Sequence, residues 1–219
     1  VRRYNMTNNT PCLMQSMRWG GWCPTKEFFD MFQMTDGTDF DWNNPEHRQN
    51  PFINRDPRLC ESILLDGDDY QGTKAEVFIA YPGDEANYPQ GKHVKVSGYT
   101  DSNSIMGSGI AARKFALDRA GEYKNRSFHW PHLRLAELYL SYAEALNECN
   151  RTGEAYQYVN EVRARVGLPP LKLKGEQDEK TEFCEAILRE RACEFGYENV
   201  RFFDLIRWKR EDIFTKSLH

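Results

Sequence analysis

Aromatic side chains set among glycines and amides are the residues of this chain best suited to hold a ligand. Trp19 and Trp22 flank Gly20-Gly21 with Arg18 beside them, and Trp42 is followed by Asn43 and Asn44. A pyranose ring offers a flat C–H face that packs on an indole, while its hydroxyls need amide and charged partners. The glycine pair lets a ligand come close to the backbone. Tyr70, Tyr81, Tyr88 and Tyr99 would extend the platform, so the candidate ligand-binding set is Arg18, Trp19, Trp22, Trp42, Asn43 and these four tyrosines. For each ring the competing role is core packing, because a loop-rich region must also build its core from aromatics. Trp130 and Trp208 border or lie in amphipathic stretches and are assigned to core.

Other chemistries find less support. Glu190 and Glu194 sit one helical turn apart, the spacing of a carboxylate pair, but Arg191 lies between them and Arg201, Asp204 and Arg207 follow at i, i+3, i+6. Alternating signs with arginine as the cation favour a structural network of Glu190, Arg191, Glu194, Arg201, Asp204 and Arg207 locking two helices together. Asp39, Asp41 and Asn43 start like a calcium loop, but the sixth position is Asn44 instead of glycine and the twelfth is Asn50 instead of glutamate. A solvated acidic turn is the better account. The stretch Asn54 to Arg58 reads as an Arg–Asp clamp opening a turn at Pro57. There is no G-x-S-x-G elbow and no HExxH, and of the five histidines only His129 and His132 are close. Six cysteines without a C-x-x-C pair make neither a disulfide scaffold nor a zinc knuckle. Nothing here calls for a cofactor, a catalytic residue or a metal.

The elements that must position these residues fall in two parts. The chain has 219 residues, 29 Lys+Arg, 33 Asp+Glu and a net charge of −4, which argues against a nucleic-acid partner. Of 25 Gly plus Pro, 17 precede residue 110, so residues 1–109 are expected to be loop-rich and to carry the ligand site. One short helix is predicted from Pro24 to Gln33, capped by Thr25, with Phe28, Phe29 and Phe32 on it and Asp36-Gly37 as its stop. Val77 to Ala80 and Val94 to Val96 are predicted strands.

Residues 110–219 are expected to be helical. From Pro131 to Cys149 the residues Leu135, Leu138, Tyr139, Tyr142, Leu146 and Cys149 trace one apolar stripe, with Pro131 in the first turn. A break at Asn150 to Gly153 leads to a second helix, with Ala155, Val159 and Val162 to Val166 inward and Gly167 as a left-handed stop before Pro169-Pro170. Thr181 is expected to cap a third helix carrying Phe183, Ile187, Ala192 and Phe195. A fourth carries Phe202, Phe203, Leu205, Ile206 and Trp208. Cys184 and Cys193 would then face opposite sides of one helix. The unit from Ala136 to Pro169 has the ~34-residue period of a tetratricopeptide repeat, with Ala143 and Ala155 as its small residues. The expected fold is therefore mostly α, with tetratricopeptide-like α-α pairs packed against a loop-rich region with a few short strands. Two visible pairs are fewer than such arrays generally need, which points to a larger helical assembly or to packing on the loop-rich part.

Three segments, LRLAELYLSYAEALNE, AYQYVNEVRARVGLP and ILRERACEFGYENVRFFDLIRW, resemble in order and spacing the signature segments of the SusD/RagB family of outer-membrane nutrient-binding lipoproteins. Upstream, CPTKEFFDMFQMTDGTDF, INRDPRL and the Arg113-Lys114-Phe115 segment resemble the same family. Asn199 replaces a usual glycine, which is tolerable because asparagine also adopts positive φ. The resemblance implies a C-terminal part of the family's chain, without its lipid-bearing N-terminal half. It also implies a glycan ligand, a SusC-like TonB-dependent transporter as partner, and a place on the cell surface, at the outer membrane, through a lipid anchor absent from this chain. The expected function is non-catalytic capture of oligosaccharides or polysaccharides for import. Peptide capture within the same family, a glycoside hydrolase using loop carboxylates, and a purely helical scaffold are the alternatives.

Overall fold

The computed structural model describes residues 2–5, 24–64, 68–70, 73–74, 76–78, 93–95, 111–114 and 127–215. It divides into two compact units that alternate along the chain: residues 1–26, 60–131 and 219 form one, and residues 27–59 and 132–218 the other.

In the first unit the described residues pair as short antiparallel ribbons. Strand β1 (Arg2–Asn5) pairs with β8 (Ser127–Trp130), β2 (Ile63–Leu64) with β7 (Ala111–Ala112), β3 (Asp69–Tyr70) with β4 (Thr73–Lys74), and β5 (Glu76–Phe78) with β6 (His93–Lys95). β5 and β6 overlap the two predicted strands and are each other's partner, Val77 lying opposite Val94, while residues 79, 80 and 96 lie outside the described residues. Next to β2, the Arg113 backbone N–H donates to the Ser62 carbonyl at 2.9 Å, and its guanidinium reaches Asp68 Oδ2 at 3.3 Å.

The second unit is helical. Its elements are α1 (Lys26–Met31), α2 (Pro45–Gln49), the start of α3 (Arg58–Ser62), then α4 (Leu135–Glu148), α5 (Thr152–Arg165), α6 (Glu179–Glu194), α7 (Arg201–Arg207) and a 3-10 turn at Glu211–Thr215. The phenylalanine helix forms as α1, shorter than predicted, and buries Phe29 on its inner face with Phe32 just beyond its end. The chain turns at Gly37, whose φ of +84° is the left-handed conformation glycine adopts freely. Among the described residues no helix is long and apolar enough to cross a membrane.

α4 and α5 are the predicted tetratricopeptide-like pair. Their core is Leu140, Ala143 and Leu146 against Ala155, Val159 and Val162, closed by Phe183 and Ile187 of α6 and by Phe195. Ala143 and Ala155 are fully buried, so the two small side chains sit where the helices approach. Each fully buried Leu or Val contributes about 1.5–3 kcal/mol by leaving water.

Three expectations for the helices need correction. Pro131 is not in the first turn of α4, which begins at Leu135 with Arg134 in the N-cap position. The buried face of α4 is Leu140, Ala143, Leu146 and Asn147, while Leu135, Leu138 and Tyr142 are about half exposed. The real stripe is rotated by roughly a quarter turn from the predicted one at 100° per residue. Asn147 belongs in it because its amide is satisfied: Oδ1 accepts from Thr152 Oγ1 at 2.6 Å and Nδ2 donates to the Lys180 carbonyl at 3.0 Å. Finally, α6 is capped by Asp178, whose Oδ1 accepts from the Thr181 backbone N–H at 3.1 Å, so Thr181 is the residue served and not the cap.

The end of α5 follows its sequence. Gly167, at φ +78°, gives its N–H to the Ala164 carbonyl at 3.0 Å and Leu168 gives its own to the Arg163 carbonyl at 3.1 Å, the paired bonds of a Schellman cap. Asn199 adopts φ +62° after α6. On α7 only Leu205 and Asp204 are buried; Phe202, Phe203 and Ile206 face outward.

Candidate functional site

Trp42 and Asn43 lie in the turn between α1 and α2. Asp36 starts that loop by accepting from Thr38 N and Oγ1 at 2.9 and 2.6 Å, and Asn44 ends it by capping α2 through the Glu46 N–H at 3.0 Å. Trp42 is half-buried and held in two ways. Its indole Nε1–H donates to Asp30 Oδ1 at 2.8 Å, and Phe40 meets it edge-on with ring centroids 4.9 Å apart. Phe40 stacks in turn on His47, whose Nδ1 accepts from the Asp41 N–H at 3.1 Å.

Beneath the rings, the Arg55 guanidinium lies 4.5 Å from the Phe29 centroid and 4.0 Å from that of Phe40. It donates to the carbonyls of Phe29 and Phe32, both at 2.9 Å, and of Pro51 at 2.7 Å. Burial brings this arginine down to about 10, more than Asp30 and Asp56 restore. The hydrogen bond to Asp30 and the ring contacts hold the indole beside the exposed Asn43. Phe52 and Ile53, both exposed, continue the apolar surface, Phe52 packing edge-on against Phe29 at 5.6 Å. These two were not anticipated; the only signal for them was their place beside the Asn54 turn, where φ is +55°.

The oxygen pattern at Asp39, Asp41 and Asn43 is used internally. Asp39 Oδ1 accepts from Arg189 Nη1 at 2.5 Å and Gln33 Nε2 at 3.2 Å, and its Oδ2 meets Lys174 Nζ at 2.6 Å. Burial alone would raise this carboxyl, but Lys174 and Arg189 hold it well below the usual carboxylate range. Asp41 Oδ1 accepts from Asn43 N and Nδ2 at 2.8 and 3.0 Å. Among the described residues no group of three metal-ligating side chains converges.

The charged residues of α6 and α7 pair in separate groups that reach beyond those two helices. Arg191 Nε donates to Asp204 Oδ2 at 2.7 Å, joining α6 to α7, and Arg207 bridges Asp204 to Glu144 of α4. Arg201 gives its Nη1–H to the Leu188 carbonyl at 3.0 Å. Glu190 and Glu194 look elsewhere. Glu190 takes Arg58 at 2.6 Å and Arg163 at 3.0 Å; Glu194 takes Arg58 at 3.1 Å, Arg134 at 2.5 Å and Arg165 at 2.8 Å. Arg58 is aimed by the clamp its own stretch forms, with Nε and Nη2 on Asp56. Burial would raise the Glu194 carboxyl, but the hydrogen bond and charge of Arg134, with Arg58 and Arg165, keep it below its ordinary value. A carboxylate so held stays ionised and has no proton to donate near neutral pH.

Tyr70 is the second residue of β3. Arg18, Trp19, Trp22, Tyr81, Tyr88 and Tyr99 lie outside the described residues. Of the anticipated ligand-binding set, the structure therefore brings together Trp42 and Asn43.

Comparison with known proteins gives one consistent result. The SusD family model matches residues 2–216. A SusD-like protein of Formosa agariphila is 41% identical over 75 residues, which are 34% of this chain and 14% of that protein. A SusD-like protein of Bacteroides fragilis has a solved structure that superposes with a TM-score of 0.66 at 28% identity, covering 96% of this chain and 43% of the other. A SusD-like carbohydrate binding protein from the same species gives 0.65 at 26% identity over 85% and 35%. The chain thus spans less than half the length of the relatives it matches. With the family model matched along nearly all of its length, the chain belongs to the SusD family.

Proposed function

We propose that this protein binds oligosaccharides or polysaccharides without cleaving them, at the surface of a bacterial cell, for import. The observation that carries this reading is Trp42, half-buried, pinned by Asp30 and Phe40, and followed by the exposed Asn43. Fixed aromatic faces flanked by amides suit sugar rings. The relative described as a carbohydrate binding protein supports the same ligand class. Trp19, Trp22 and Arg18, with Tyr70, Tyr81, Tyr88 and Tyr99, are the further contacts in this proposal. The partner is a SusC-like TonB-dependent transporter, and the anchor is a lipid on the family's N-terminal part at the outer membrane.

A non-catalytic role is supported by the state of the buried carboxylates. Glu190 and Glu194 each meet at least two arginines, an arrangement suited to holding helices together and not to acid catalysis. Native electrophoresis through gels containing soluble polysaccharides tests the reading: retardation by a glycan, with no new reducing ends in the gel, is the expected result. Release of reducing ends, abolished by replacing one Asp or Glu, would establish a hydrolase instead.

A further inference from the structure

A cavity of about 330 Å³ opens within the unit made of residues 27–59 and 132–218, between α6 and the segment leading into it. It is separate from the Trp42 surface and has no aromatic lining residue, so it does not stack rings. Its size is near the lower end of the ~300–1,000 Å³ range of small-molecule sites, which suits one sugar-sized ligand.

The hydrogen-bonding groups left over decide what it would hold. Five of its six carboxylates are already engaged: both Asp39 oxygens by Arg189 and Lys174, both Asp56 oxygens by Arg58, both Glu190 oxygens by Arg58 and Arg163, both Glu182 oxygens by the N–H groups of Lys174 and Gly175, and both Glu185 oxygens by Arg210, while Glu176 is exposed. Donors, by contrast, remain. Arg163, only 3% exposed, spends Nε on the Pro169 carbonyl at 2.9 Å and Nη1 on Gln33 and Glu190, both at 3.0 Å. Arg189 spends Nε on the Met31 carbonyl at 2.7 Å and Nη1 on Asp39. The Nη2 of each arginine has no acceptor among the described residues. A planar guanidinium edge is the natural partner of a carboxylate. Met31, Leu171, Leu173 and Ala186 supply an apolar wall for a carbon skeleton.

We propose that this cavity binds a single sugar acid, its carboxylate received by Arg163 and Arg189 and its ring lying along the apolar wall. The choice of a sugar acid among small carboxylates rests on the glycan reading above. The site is distinct from the Trp42 platform and adds to it a selection for acidic sugars.

Titration calorimetry of the full chain with D-galacturonate, with D-galactose as its neutral counterpart and with sulfate tests this directly. Saturable galacturonate binding is expected, at least tenfold tighter than galactose or sulfate. Ala186→Leu, which fills the cavity and leaves every charge in place, and Arg189→Gln should each weaken it tenfold or more with the circular dichroism spectrum unchanged. Equal affinity for galactose or for sulfate, unaltered binding in Ala186→Leu, or no galacturonate binding would overturn the inference. A chain retarded by polysaccharide that ignores galacturonate overturns this inference alone; one that binds galacturonate but is retarded by no polysaccharide overturns the glycan reading alone.

Discussion

Arg58 and Glu190 lie 132 positions apart in sequence, yet Arg58 Nη1 donates to Glu190 Oε1 at 2.6 Å with both side chains buried. Burial would lower the arginine, but Glu190 and Asp56 hold it above its ordinary value, so Arg58 stays protonated in the folded state. Breaking a buried pair by removing one partner strands the other charge and costs about 3–5 kcal/mol. Glu190→Gln should therefore shift the urea midpoint downward, chiefly because the buried Arg163 loses its carboxylate partner, while Arg58 keeps Asp56 and Glu194. Arg151→Ala, which removes the exposed pair with Glu154, should leave the midpoint in place.

Acid should loosen the same network. Glu194 and Asp39 titrate lower in the folded chain than when unfolded, so their contribution is complete above the ordinary carboxylate range and is lost as pH falls through the folded values. Stability is expected to be level from pH 7 down to about 5 and to decline below that. Glu194→Gln should lower stability at pH 7 and flatten the decline, as measured by urea unfolding at each pH. An equally steep decline in the variant would remove Glu194 from the account.

Two glycines make a matched test of backbone demand. Gly37 has φ +84°, and an added Cβ would lie 2.8 Å from Pro169 Cγ, so Gly37→Ala should destabilise by about 1–3 kcal/mol. Gly153, in the first turn of α5, has nothing within 4 Å of the position a Cβ would take. Gly153→Ala should stabilise by up to about 1 kcal/mol, because alanine loses less entropy in a helix. Thermal melting of the pair checks both signs.

Thiol reactivity should separate the cysteines of the helical unit. Cys149 is exposed, whereas Cys193 is buried, and burial pushes its thiol up to about 12. Iodoacetamide at pH 8 followed by peptide mapping should label Cys149 in the native protein and Cys193 only after denaturation. Native labelling of Cys193 would contradict the packing of α6.

The helices were legible because local signals agree there: Gly167 before Pro169-Pro170 ends α5 as read, and Asn199 takes the positive φ expected of it. The face of α4 was misread because its core is lined by small Ala143 and satisfied Asn147, which carry no hydrophobic signal, while Leu135 and Leu138 do. Spacing on α6 exposed Glu190 and Glu194 as paired charges. Their partners Arg58, Arg134, Arg163 and Arg165 come from three other stretches, which no one-dimensional pattern contains. At the candidate site the Trp42-Asn43 pair was visible as an aromatic beside amides, but its fixing by Asp30 and the stack of Arg55 on Phe29 and Phe40 depend on the folded turn.

Affinity electrophoresis on a panel of soluble polysaccharides, comparing the chain with Trp42→Ala and with the Trp19→Ala/Trp22→Ala double variant, tests the central claim most directly. Glycan capture predicts retardation by at least one polysaccharide, weakened in variants whose circular dichroism and urea unfolding stay native-like. Absence of retardation on every glycan, or retardation unchanged in both variants, would contradict the assignment of sugar binding to these tryptophans.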